Sequence, residues 1–252
     1  MSQRPHITEF NEVEQRWAID PRRGLILPAN YNQFHQAEIS TGKAEEVITD
    51  FKKRVGRFWY GIFIKWEYRE AVQELWRIYK GIDKSQRVKL RVRSIIDPRT
   101  DKKTGQLTLK EKFKSQNGFK LYKEHDIAIS YDLAEKLILG VSPEWWVLKN
   151  RYNVRWPDER LWDIDFMARR WDYIDELKIQ LTLWEIEVNS VTDSFELPEW
   201  AIHQLNGNKQ FKCFWTAELQ KTPWADIKKS TRDSYIRILQ NWSNDHEFSL
   251  VA

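Results

Sequence analysis

Short runs with β-strand character in this chain carry charge at every second residue, and the charged side recurs from run to run. Glu12, Glu14 and Arg16 share one parity, as do Arg91 and Arg93, Glu124 and Asp126, Lys149 and Arg151, Asp163 and Asp165, and Glu185 and Glu187. Residues two apart on a strand point to the same face. The opposite parity is apolar in most of these runs: Val13, Trp17 and Ile19; Leu90 and Val92; Trp162, Ile164 and Phe166; Trp184, Ile186 and Val188. One such run would describe a half-exposed sheet. Repeated along the chain, with acids and bases largely on separate strands, it predicts a sheet curled around a charged interior. Buried charge is costly unless it is paired or meets counter-ions, so the feature constrains function as well as fold.

Composition narrows the classes. The 252 residues suit one domain. Charged residues make up 31%, but 41 bases nearly balance 37 acids, so the net charge of +4 makes no case for nucleic acid. The single cysteine, Cys213, excludes an internal disulfide and a Cys-based metal site and predicts a reducing cytoplasm. No apolar run approaches the roughly 18 residues of a membrane span, and the N-terminus has no apolar signal core. The five His residues lack ligand spacing, so no zinc site is assigned. Without a G-x-x-x-x-G-K-[ST] loop, a P-loop nucleotidase is excluded.

Eight strands are predicted, at 8–19, 73–80, 86–95, 105–114, 118–129, 145–155, 160–168 and 178–190. Lys102 to Gly105, Gln116–Asn117–Gly118 and Pro157–Asp158 are turn signals, and hairpins in succession imply antiparallel pairing. Eight such strands can close into a barrel wide enough for a small ligand. The expectation is a mainly β fold with α decoration (α+β), an eight-stranded antiparallel closed barrel forming one domain over 1–252. A helical insertion is expected at about 41–72, where Ala44, Val47, Ile48, Phe51 and Val55 keep helical spacing. The apolar stretch from Phe58 to Trp66 reads as a second helix packed on the barrel or as a surface for protein or self-association. Shorter helices are expected near 132–140 and 198–206, and an amphipathic one at about 224–242. Trp17, Trp162 and Trp184 are assigned to the outer barrel face. Trp76 and Trp156 are the candidates for a stacking platform.

Several of these runs also match known motifs. Glu12–Val13–Glu14–Gln15–Arg16 resembles the E-x-E-x-K signature of the CYTH superfamily, the triphosphate tunnel metalloenzymes. In family order follow Arg91–Val92–Arg93 for R-x-R, Leu107–Thr108–Leu109–Lys110 for L-T-x-K, and the acids Glu124 and Asp126 before a short helix. Lys149–Asn150–Arg151–Tyr152 then resembles K-x-R-Y, and Trp162–Asp163–Ile164–Asp165 resembles W-E-I-D. Last come Glu185–Ile186–Glu187 and Phe195–Glu196–Leu197–Pro198–Glu199–Trp200. The resemblance spans about residues 8 to 223. Arg16 in place of the signature lysine, Tyr122 where a base is common, and Asn189 for a third acid depart from it.

The resemblance implies metal-dependent hydrolysis of a triphosphate: tripolyphosphate, thiamine triphosphate or a nucleoside triphosphate. It implies that Arg91, Arg93, Lys110, Lys149, Arg151 and Lys221 bind phosphates. It also implies that Glu12, Glu14, Asp163, Asp165, Glu185 and Glu187, with Glu124 and Asp126 beside them, hold Mg²⁺ or Mn²⁺. Glu12, Glu14, Arg16 and Lys110 would be the catalytic set. These types fit the chemistry, since forked guanidinium donors suit phosphate oxygens and hard divalent ions prefer carboxylates. Two alternatives are a class IV-type adenylate cyclase and a non-catalytic binder of phosphorylated nucleotides. No membrane partner is expected.

Overall fold

The computed structural model describes residues 7–19, 27–54, 62–112, 121–141, 146–157, 159, 161–167, 182–188 and 201–204, with backbone alone for 7–19, 62, 121, 166–167, 182–188 and 201–204. The elements in chain order are β1 (Ile7–Ile19), β2 (Asn32–Lys43), α1 (Ala44–Lys53), α2 (Ile62–Tyr79), β3 (Arg87–Asp97), β4 (Lys102–Lys112), β5 (Leu121–Ile129), α3 (Tyr131–Leu139), β6 (Trp146–Arg155), β7 (Leu161–Met167), β8 (Thr182–Val188) and β9 (Ala201–Gln204). The fold is a mainly antiparallel sheet with three helices. Six strands, in the order β5-β4-β3-β2-β6-β7, form a curled half-barrel. Pairing continues from β7 through β8 to β1 and β9, and β1 also pairs with β5 over Ile7–Val13.

Alternation sorts the two faces. On the outer face Ala37 and Ile39 of β2, Val88, Leu90 and Val92 of β3, Leu107 and Leu109 of β4, and Ile127 and Ile129 of β5 are buried in one core. The three helices cover it. Ala44, Val47, Ile48 and Phe51 form the buried stripe of α1, spaced as a helix buries one side. Tyr68, Ala71, Val72 and Leu75 do the same for α2, and Leu133, Ala134, Leu137 and Ile138 for α3. Phe51 stacks on Tyr68 with ring centroids 4.8 Å apart. Ser130 caps α3 by accepting the Leu133 N–H at 3.1 Å, and its hydroxyl donates to Glu67 of α2 at 2.6 Å, tying the two helices together. Among the described residues no helix is long and apolar enough to cross a membrane. Phe63 and Trp66, near the start of α2, are exposed.

The structure corrects three expectations. Residues 73–80 are not a strand but the second half of α2, because Leu75 completes a helical period begun at Tyr68. Residues 32–43, expected to lie partly in a helical insertion, are the strand β2, between β3 and β6. A bulge between Glu38 and Ser40 breaks its alternation. The expected short helix near 198–206 contains β9 instead, which pairs with the end of β1. The turn signal at Lys102–Gly105 falls inside β4, and the β3–β4 turn lies just before it. There Asp97 accepts the Arg99 N–H at 3.0 Å and the Thr100 hydroxyl at 2.8 Å, and these bonds hold its carboxyl below its ordinary range. Of the turn signal at Pro157–Asp158, Pro157 follows β6 and the Glu159 N–H donates to the Trp156 carbonyl at 2.8 Å, while Asp158 lies outside the described residues. The turn at 116–118, the helix at 224–242, Lys221, Asn189 and Cys213 lie outside the described residues.

Gly105 of β4 lies against the start of α3. A Cβ there would lie 2.3 Å from the Ser130 carbonyl oxygen and 2.9 Å from Ala134 Cβ. Gly105→Ala is expected to destabilise the protein by at least the upper end of about 1–3 kcal/mol, read from the urea midpoint. An unchanged midpoint would mean that α3 does not rest on β4 this closely.

Candidate functional site

The inner face of the half-barrel is built by the same alternation. It carries Phe34, Gln36 and Glu38 from β2, Lys89, Arg91 and Arg93 from β3, Thr108 and Lys110 from β4, and Tyr122, Glu124 and Asp126 from β5. Lys149 and Arg151 come from β6, and Asp163 and Asp165 from β7. Cross-strand register brings them together: Lys110 lies opposite Glu124, Phe34 opposite Lys149 and Arg151 opposite Asp165.

Two carboxylates organise the bases. On one wing Glu124, 2% exposed, accepts from Arg91 at 3.2 Å and from Lys110. On the other Asp165, 1% exposed, accepts from Lys149 Nζ at 2.5 Å and from Arg151 Nε and Nη2 at 2.6 and 2.7 Å. The Arg151–Asp165 contact is the two-pronged geometry that a guanidinium makes with carboxylate or phosphate. Arg151 also donates to Asp163, which Asn153 contacts too. Asp126 accepts the Thr108 hydroxyl at 2.6 Å. Lys89 pairs with Glu38 at 3.0 Å, and Arg93 donates to the Gln36 side chain at 3.1 Å. Lys110 lies over the Tyr122 ring at 5.4 Å, so the aromatic at this position still meets a cation.

The sequence-predicted bases Arg91, Arg93, Lys110, Lys149 and Arg151 therefore share one face, and so do Glu124, Asp126, Asp163 and Asp165. For Glu12, Glu14, Arg16, Glu185 and Glu187 the backbone register is described: Glu14 lies opposite Glu187, Arg16 opposite Glu185, and Asp163 opposite Glu185. Trp17 and Trp184 are likewise opposite each other, and Trp184 is opposite Ile164, on the other parity. Among the described side chains no group of three or more His, Cys, Asp or Glu gathers as a metal-binding set. The described acids are instead engaged by bases and hydroxyls. Trp76 packs edge-on against Tyr79 at 5.2 Å beside the core, as a structural residue would.

Sequence reasoning missed the contribution of β2. Phe34, Gln36 and Glu38 stand between the two basic strands and touch bases from both. The available signal was the short alternation Gln36–Ala37–Glu38–Ile39, which the bulge then interrupts.

No family model and no curated protein matches the chain. Among solved structures it is similar to the inorganic triphosphatase NE1496, at 18% identity over 84% of this chain and 95% of that one, with a TM-score of 0.40. A second structure of NE1496, described as a hypothetical protein, gives 17% identity over 84% and 99%, also at 0.40. HpAC1 from Hippeastrum, described as a candidate adenylyl cyclase with a dominant triphosphatase activity, gives 12% identity over 71% and 80%, at 0.37. At such TM-scores every residue role has to come from this chain's own geometry.

Glu124 is the nearest counter-charge to two largely buried cations. Glu124→Gln is expected to cost about 3–5 kcal/mol, as breaking a buried ion pair from one side does, measured by urea denaturation at low salt. A loss below about 1 kcal/mol would show that Glu124 is not the anchor of that wing.

Proposed function

We propose that this chain is a divalent-metal-dependent triphosphatase that cleaves a phosphoanhydride bond of tripolyphosphate, thiamine triphosphate or a nucleoside triphosphate inside a closed eight-stranded tunnel. One observation carries the reading. The motif residues Arg91, Lys110, Lys149 and Arg151, drawn from three strands, meet the acids of β5 and β7 on the inner face, where Arg93 joins them beside Gln36 of β2. Pairing of β1 with both β8 and β5 supports closure of the ring.

The self-paired interior is what a polyanion site needs when empty of substrate. Each base has a carboxylate, amide or ring partner, so the cost of burying it is met. A triphosphate brings oxygens that can take over the guanidinium and ammonium donors, while the released acids turn to a cation. The donor set fits Mg²⁺ or Mn²⁺ in kind, because all its members are carboxylates. Register adds support: Glu14 faces Glu187 and Asp163 faces Glu185, and acids directly opposite across strands repel unless a cation lies between them. Glu12, Asp165, Glu124 and Asp126 complete the proposed set. Bound metal would supply charge neutralisation at the phosphoryl oxygens and lower the pKa of water. The chain's part is to hold the phosphates in line with Arg91, Arg93, Lys110, Lys149 and Arg151, with Lys221 as a further proposed contact. Arg16, whose backbone lies opposite Glu185, is proposed for the catalytic set with Glu12, Glu14 and Lys110.

The test is phosphate release from tripolyphosphate, ATP and thiamine triphosphate with Mg²⁺ or Mn²⁺, with product identification. Turnover is expected to need metal and to fall at least about a hundredfold in the Glu12→Gln/Glu14→Gln double variant. Pyrophosphate and a cyclic nucleotide from ATP would replace this reading with a cyclase. Triphosphate binding without turnover would replace it with a binder.

A further inference from the structure

Phe34 occupies an unexpected place. It sits on the charged parity of β2, is 9% exposed, and has three cations around one ring: Lys149 Nζ at 5.4 Å from the centroid, Arg151 Cζ at 5.6 Å and Arg93 Cζ at 5.8 Å. All three fall within the roughly 6 Å over which a ring face attracts a cation. Two of them come from β6 and one from β3, so the ring bridges the two basic strands across the strand between them.

We propose that Phe34 is a positioning residue that holds Arg93, Lys149 and Arg151 as a three-cation cradle for one phosphate group of the substrate. The proposal rests on the triphosphatase reading and extends it to a residue outside the motifs. Its basis is the kind of partner a phosphate-binding base can keep. A carboxylate such as Asp165 orients Lys149 and Arg151 but cancels their charge, and it competes with phosphate for the same N–H donors. An aromatic face is neutral and takes no N–H donor in the plane of the guanidinium. It therefore adds a hold on direction without adding a negative charge or taking up N–H donors of its own.

The inner face of β2 is graded in this sense. Glu38 meets Lys89 with a negative charge, whereas Gln36 and Phe34 meet their cations without one. A phosphate that displaces Asp165 from Lys149 and Arg151 would meet three cations around the ring, so the cradle suits the most highly charged phosphate of a triphosphate. For tripolyphosphate and for an organic triphosphate alike, that is a terminal phosphate.

The experiment is calorimetric titration of the full chain with tripolyphosphate, with and without Mg²⁺, for wild type, Phe34→Leu and Phe34→Tyr. A parallel series replaces Phe34 with phenylalanine analogues of rising fluorine content, which weaken the ring's negative face at nearly constant volume, so folding is retained even if Phe34→Leu unfolds. Phe34→Leu is expected to raise Kd about tenfold. Phe34→Tyr is expected to stay within about threefold of wild type, and affinity should fall stepwise with fluorination. Where turnover is measured, the loss should fall in KM more than in kcat. Equal affinity across the fluorinated series would overturn the cradle while leaving the triphosphatase reading intact. A wild-type chain that does not bind tripolyphosphate at all would overturn that reading, and the cradle with it.

Discussion

Reciprocal neutralisation across the inner face is the interaction on which the architecture depends. The sheet curls because its outer face is apolar and covered by three helices, and curling forces the other face inward with its charges. That arrangement holds together only because acids and bases stand on neighbouring strands in matching register. Glu124 serves β3 and β4 at once, and Asp165 serves two bases of β6. Charge pairs of this kind add little net stability over apolar residues of the same size. The stability comes instead from the apolar core on the far side of the sheet.

The two faces therefore do separate work with one set of strands. Leu90 and Arg91 are neighbours in sequence, yet one is sealed beneath the helices and the other reaches Glu124 in the interior. This coupling fixes the bases rigidly, since each hangs from a strand whose other side is packed without gaps around residues such as Leu107, Leu109 and Ile127. A site mounted on strands in this way keeps its geometry better than one carried on loops.

How much of this was legible in the sequence varied with how strictly each segment keeps its period. β3 could be read because Val88, Leu90 and Val92 alternate without fault with Lys89, Arg91 and Arg93, and the structure sends each set to its expected face. α1 could be read because four apolar residues recur at helical spacing. β2 could not, since the bulge after Glu38 shifts its parity and Ser40, Thr41 and Gly42 carry little strand signal. Residues 73–80 imitate a strand through the strand-favouring Trp76, Ile78 and Tyr79, and only Tyr68, Ala71 and Val72 upstream reveal the longer helical stripe. Phe34 escaped notice for a related reason. An aromatic at a charged position looks like an exception to the pattern until the cations on either side of it are located.

β1 has a consequence for how the molecule is made. Its first half pairs with β5 and its second half with β8, with Val13 opposite both Leu121 and Val188. β1 precedes β5 and β8 in the chain by more than a hundred residues, so during synthesis it awaits both of these partners. Long-range pairing of this kind slows folding and lengthens exposure to mispairing. Alternating charge such as that of Glu12, Glu14 and Arg16 is the pattern by which strand edges resist joining a foreign sheet. Residues proposed above for chemistry thus carry a pattern that also suits a strand kept waiting for its partners.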